Sequence, residues 1–457
     1  MQQTNSTIDW ICSKLSEASD IVISSIRNEQ MEGRILYIRT VCDETKLQKL
    51  IIDPLGKFPD FPSYARHLLS LPGVQLPFSN EETLNQVLKG CVLIAIESHT
   101  YLLDMKDIQN AQVSETNVES TFLGPKLALS EDVSINIGLI RLRYPRPSLS
   151  VQEMTVGKLS CTRMVIMYDD DFVNREALQR VREALASVDL NLVQSASQLM
   201  LAINGSKRSA FPKGMVTERP DRIVYNLAVG KIAVLLQGTP FAVIVPTVLF
   251  DFMSSMDDVY ENYAISRFLV LLRYIGLLFS LTLASFYVVV TSFNPEILRV
   301  QLALSIAGSR APVPYPSYVE VLFMLIMMEL LTEASVRLPK TVGSTATTVG
   351  GLILGQAATQ AGLVSNIMII IVAAVAISNF VVPIIPMGFG MRVAKYFILL
   401  LSSMFGFMGL LVGLVFLVVY IAMIDSFGTP YLQITWGLDS AKLVSQRLRG
   451  EAGGRAS

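Results

Sequence analysis

Histidine, cysteine pairs and charge are what this 457-residue chain has least of, and each shortage removes a class of function. The only histidines, His67 and His99, lie in unrelated segments, so they supply no catalytic pair and no metal cluster. Cys12, Cys42, Cys91 and Cys161 are far apart and form no CxxC pair, which argues against a zinc site or a disulfide framework and for reduced thiols. A net charge of −1 without a basic patch argues against nucleic-acid binding. There is no Walker loop and no GxGxxG, so we expect neither a cofactor nor enzymatic activity. The first twenty residues lack a basic stretch followed by an apolar one, so no secretory leader is read, and the soluble part is expected in the cytoplasm.

What the chain does have is asymmetry. Hydrophobic residues make up 51% and charged residues only 16%, and the charges become sparse between Tyr274 and Ile424. We therefore expect an α/β cytosolic N-terminal region of two similar subdomains followed by an all-α transmembrane helical bundle. The divisions are 1–118 and 119–215 for the subdomains, 216–263 for a linker hairpin and helix, 264–425 for the membrane domain and 426–457 for a cytosolic tail. In the first subdomain Ile35–Val41, Cys91–Ile96 and Tyr101–Leu103 read as strands, and Asp43 as the cap of a short helix. The second repeats the order, with Met164–Tyr168 a strand, Asp169–Asp171 an acidic turn and Glu176–Val188 an amphipathic helix. Three acids before a helix are more often caps than a cation site. Residues 231–246 could be scored as a span, but Gln237-Gly238-Thr239-Pro240 breaks them into a hairpin.

Membrane arithmetic carries the second half. Tyr274–Pro295 is uncharged and long enough for one crossing of ~20 residues. No charge occurs between Lys340 and Arg392, where a single helix would run roughly 75 Å, so that stretch must cross twice or fold back. Tyr396–Ile424 reads as the clearest single span, and Asn294–Ala307 as an interfacial helix. Basic residues, including Lys442, Arg447 and Arg449 of the tail, cannot all be kept inside with full spans, which predicts four to six membrane segments with at least one short.

Two features could carry mechanism. Glu329 and Glu333 sit i,i+4 on an apolar helix with Arg337 one turn further; they read equally as an ion path or as a Glu333–Arg337 pair with Glu329 bonded inside the bundle. Ser344, Thr348, Gly351, Gly355, Thr359 and Gly362 form a small or hydroxyl stripe that packs helices or lines a narrow pore, with Gln356 and Gln360 on a neighbouring face.

Several motifs then carry a resemblance: Thr217-Glu-Arg-Pro-Asp-Arg222, Gly238-Thr-Pro-Phe241 with Val245-Pro246, Ser335-Val-Arg-Leu-Pro339, the run from Val349 to Asn366, and Ser426-Phe-Gly-Thr-Pro-Tyr431. From about Ile35 to Leu432 the chain resembles the A subunit of spore germinant receptors, the GerA family. The resemblance implies a place in the spore inner membrane beside a permease-like B subunit that binds the nutrient and a lipoprotein C subunit. It also implies assembly as a pentamer into a nutrient-gated cation channel. A related protein of the same family acts downstream with the dipicolinate channel. The sequence departs from many relatives at Tyr168–Phe172, where they carry a glycine turn, so no role is transferred to the N-terminal loops.

Overall fold

The computed structural model describes residues 2–433 apart from 16–17, 29–30, 59, 77–78, 98, 107–114, 120 and 205–208, and the side chains within that range apart from those at 2–6, 336, 340–342 and 344–347. Helix α1 (Gln2–Lys14) leads into a first sheet of β1 (Ile21–Asn28), β2 (Met31–Ile38), β3 (Val74–Gln75), β4 (Cys91–Ile96) and β5 (His99–Asp104). Its spatial order is β1-β2-β4-β5-β3. Helices α2 (Glu44–Leu47), α3 (Asp53–Leu55), α4 (Phe61–Ser70) and α5 (Asn80–Leu88) cover it. Asp43 caps α2 as expected, its carboxylate accepting from the amides of Thr45 and Lys46.

After α6 (Val133–Arg143) comes a second sheet of β6 (Leu149–Val156), β7 (Thr162–Asp169), β8 (Met215–Thr217), β9 (Ile232–Leu236) and β10 (Ala242–Val245), in the order β6-β7-β9-β10-β8. With it pack α7 (Arg175–Ala186), α8 (Ala196–Ile203) and α9 (Pro220–Ala228). The two sheets share one connectivity, and all their strand pairs are antiparallel.

The expected hairpin at 231–246 is present, pairing Ala242 with Leu235 and Val245 with Ile232. It is not a linker. Its two strands are buried on both faces, so they occupy the middle of the second sheet, and the subdomain expected to end at 215 runs on through β10. Strand alternation divides that sheet's cores. Met164, Ile166, Val234, Val243 and Val245 face α7 and α8. Val165, Met167, Leu235, Ala242 and Ile244 face α6, α9 and residues of the helical half, among them Leu281, Met387, Ile398 and Leu417.

The helical half begins after α10 (Asp257–Tyr260) with α11 (Tyr263–Ser292), continues through α12 (Val300–Arg310), α13 (Ser317–Arg337), α14 (Lys340–Gln360) and α15 (Asn366–Asn379), and ends with α16 (Ile385–Ala422). By length and composition α11 and α16 are apolar enough to cross a membrane. The segment 396–424 is nevertheless not one span. Gly406 interrupts α16 with φ 60° and ψ −136°. Beyond it the chain turns back, so that the rings of Phe397 and Phe416 stand 5.1 Å apart. In a straight helix these nineteen positions would separate them by roughly 28 Å. α16 is thus a hairpin with an outgoing arm (385–405) and a return arm (407–422).

The return arm brings the chain home to the second sheet. A two-residue ribbon of β11 (Asp425–Ser426) and β12 (Thr429–Pro430) follows. The Ser426 hydroxyl donates to Lys213 O and accepts from Thr247 N, and Tyr431 is fully buried with its hydroxyl donating to Pro212 O. The first part of the segment expected as a cytosolic tail is therefore bound to the second subdomain, because its aromatic ring completes that core; Lys442, Arg447 and Arg449 lie outside the described residues.

Candidate functional site

Three clusters of polar side chains stand where the two halves meet or inside the helical half. The first is built by Thr217–Arg222. Arg219, with no exposed surface, is held by Asp221 at 3.1 and 2.7 Å and donates to Glu119 O, Thr121 Oγ1 and Pro125 O at 2.9–3.0 Å. Asp221 also accepts from the Tyr260 hydroxyl at 2.8 Å, one turn before α11. Glu218 accepts from the amides of Val118 and Glu119, and Arg222 pairs with Glu119 at 3.1 Å. Burial pushes the Glu119 carboxyl above its ordinary value, against the pull of Arg222. The motif thus clamps the connecting segment to α9 and to the root of α11.

The second cluster surrounds Glu329. Of the two readings of these acids, the geometry matches the one that sets Glu329 apart inside the bundle: it faces α16, with Lys395 at 3.3 Å and Arg392 at 3.4 Å. Glu333 and Arg337 make their own pair at 2.7 Å on an exposed face. The two cations were visible in the sequence only as topology signals, because the partner lies more than sixty residues away. A carboxylate flanked by two cations presents no net negative charge, so a cation path beside Glu329 is electrostatically opposed while the pairs hold. The cluster lines a cavity of about 20 Å³ together with Leu325, Thr332, Val375 and Asn379.

The third cluster is the small-residue stripe. Of its six members, Thr348, Gly351, Gly355 and Thr359 lie on α14, Gly362 just past its end, and the Ser344 side chain is outside the described residues. A Cβ at Gly351 would meet Leu331 of α13 at 3.4 Å, and one at Gly355 would meet Ile369 of α15 at 3.7 Å. The Thr359 hydroxyl donates to Gly355 O and Gln356 O within its own helix. Thr348, Gln356 and Gln360 are exposed.

The acidic turn does not cap α7, whose first amides, those of Glu176 and Ala177, donate to Asn174; the three acids pair with the turn and with neighbouring side chains instead. Asp169 accepts from the Asp171 amide and the Tyr144 hydroxyl, Asp170 pairs with Arg175 and Asp171 with Arg146. Among the described residues no group of three or more acids, histidines and cysteines is placed to hold a metal.

Two antiparallel sheets of one connectivity, sharing a core with a helical half that holds two helices of transmembrane length and apolarity, define a two-part, membrane-associated protein. The chain belongs to the Bacillus/Clostridium GerA spore germination protein family, whose model matches residues 9–450. It is 31% identical to spore germination protein KA of Bacillus subtilis over 92% of this chain and 79% of that one. It is 32% identical to spore germination protein GerQA of Bacillus cereus over 92% of this chain and 85% of that one. The crystal structure of the N-terminal domain of the A subunit of the Bacillus megaterium spore germinant receptor GerK3 is similar at 23% identity and a TM-score of 0.42, covering 53% of this chain and 94% of that one.

Proposed function

We propose that this chain is the A subunit of a nutrient germinant receptor of the spore inner membrane, which oligomerises to form or gate a monovalent cation channel that starts germination. In this reading α11, α13, α14, α15 and the two arms of α16 cross the bilayer, α12 lies at its far surface, and both ends of the helical half connect to cytoplasmic chain. The partners are a permease-like B subunit and a lipoprotein C subunit, and the family resemblance implies five copies. Family membership along nearly the whole chain supports the germination role.

The observation that carries the channel is the outer face of α14. Its Thr348, Gln356 and Gln360 side chains are exposed on the bundle, where a single copy would turn them into hydrocarbon. An amide so placed costs about 1–3 kcal/mol, which a second copy or a water-filled path removes. The test is potassium release after nutrient addition in spores carrying Gln356→Lys or Thr348→Trp. Release should fall at least ~10-fold for the charge variant. Unaltered release from both would remove α14 from the pathway.

A second reading, a non-conducting scaffold or a related germination protein acting downstream with the dipicolinate channel, draws on a different observation. Gly351 and Gly355 already have packing neighbours in Leu331 and Ile369, as a stripe used only for close helix approach would. It predicts that the purified receptor in liposomes passes no potassium under any nutrient.

A further inference from the structure

The cluster around Glu329 does not balance. Lys395 has a side chain only 1% exposed and Arg392 one 19% exposed, and among the described residues Glu329 is the one carboxylate that pairs with either. The buried Arg392 Nε has no hydrogen-bond partner. The aromatic faces of Phe389 and Tyr396, at 5.2 and 5.0 Å from the two cations, disperse charge without cancelling it. The last carbonyls of α15, whose final turn lines the cavity, offset about half a charge. An excess of positive charge therefore remains in a region of low dielectric, where an uncompensated cation is strongly disfavoured.

We infer that the cavity between α13, α15 and α16 is an anion site, in which one anionic atom, a halide or a single oxygen of a carboxylate or phosphate, completes the charge of Lys395 and Arg392. The size fits: about 20 Å³ is room enough for a water-sized group. The polar lining fits too, with Thr332 and Asn379 beside the cations. The site is independent of the channel reading, since it concerns charge inside one copy.

The test uses the full chain in detergent and in phosphatidylglycerol-containing nanodiscs. Chloride-35 line broadening, displaced by bromide or acetate, reports a free small anion. Phosphatidylglycerol retained selectively over phosphatidylcholine in native mass spectrometry reports a lipid oxygen. Either signal supports the site if Lys395→Met weakens it at least tenfold and Glu329→Gln, which removes the opposing carboxylate, strengthens it several-fold. Both variants keep the cavity, and Lys395→Met leaves Glu329 and Arg392 as a neutral pair. Absence of both signals from the wild-type chain would overturn the inference. Signals unchanged by Lys395→Met would overturn it as well.

Discussion

Arg141 and Asp20 form a two-pronged ion pair, at 2.5 and 2.6 Å, with side chains 1% and 2% exposed. The pair ties α6 to the approach of β1, and so one subdomain to the other. Removing one partner strands the other charge, so Asp20→Ala should destabilise by about 3–5 kcal/mol, seen as a lowered melting temperature of the detergent-solubilised chain. Asp20→Ala with Arg141→Met should recover most of that loss, because the stranded charge is gone. Thiols give a second residue-scale prediction. Burial pushes Cys42 up to about 12 and Cys91 to about 11, whereas Cys161 is exposed. The thiolate is the nucleophile, and at pH 8 a thiol of pKa about 12 is ionised in about one copy in ten thousand. A disulfide reagent at pH 8 should therefore modify Cys161 quickly and Cys42 negligibly in the folded chain, with Cys42 gaining reactivity only near pH 11–12. Fast reaction at Cys42 at pH 8 would mean that the first sheet is open in solution.

The α16 hairpin rests on two glycines. At Gly406 the backbone takes a positive φ that side-chain-bearing residues rarely adopt, and an added Cβ would stand 2.9 Å from the Phe293 ring. At Gly409 a Cβ would run into the Leu401 carbonyl across the hairpin. Gly406→Ala should cost about 1–3 kcal/mol, and Gly409→Ala more, because backbone rather than a movable ring stands in the way. Melting of the two variants checks the order, and equal losses would argue that the arms are further apart. The sequence announced the apolarity of this stretch but not its reversal, since glycines are common in membrane helices and a lone one reads as a packing position. The i,i+4 pairing of Glu333 with Arg337, by contrast, was legible, because neighbours one turn apart meet on any helix.

Across the whole molecule, the sheet-containing and helical halves are not separable bodies, because the second sheet's inner face is closed by α11, α16 and Tyr431. On the proposed membrane topology the hairpin also returns the chain to the side it left. A cysteine at Asp425 should be labelled by an impermeant maleimide only from the cytoplasmic side, and one at Met404 only from the opposite side; a continuous helix would put Asp425 outside. Local chemistry settled a good deal in advance. Periodicity and capping marked β4, β5, β7, α2 and α7; the Gln237–Pro240 turn marked a hairpin; and depletion of charge marked the apolar helices. Each of these depends on residues within a turn or two of one another, so the chain alone determines it. Tertiary structure alone decided that the hairpin is central to a sheet, that 396–424 folds back, that Glu329 belongs to Lys395 and Arg392, and that Tyr431 returns to a core laid down two hundred residues earlier. Those outcomes depend on which distant surfaces become buried together, and burial is a property of the packed whole that no window of sequence contains.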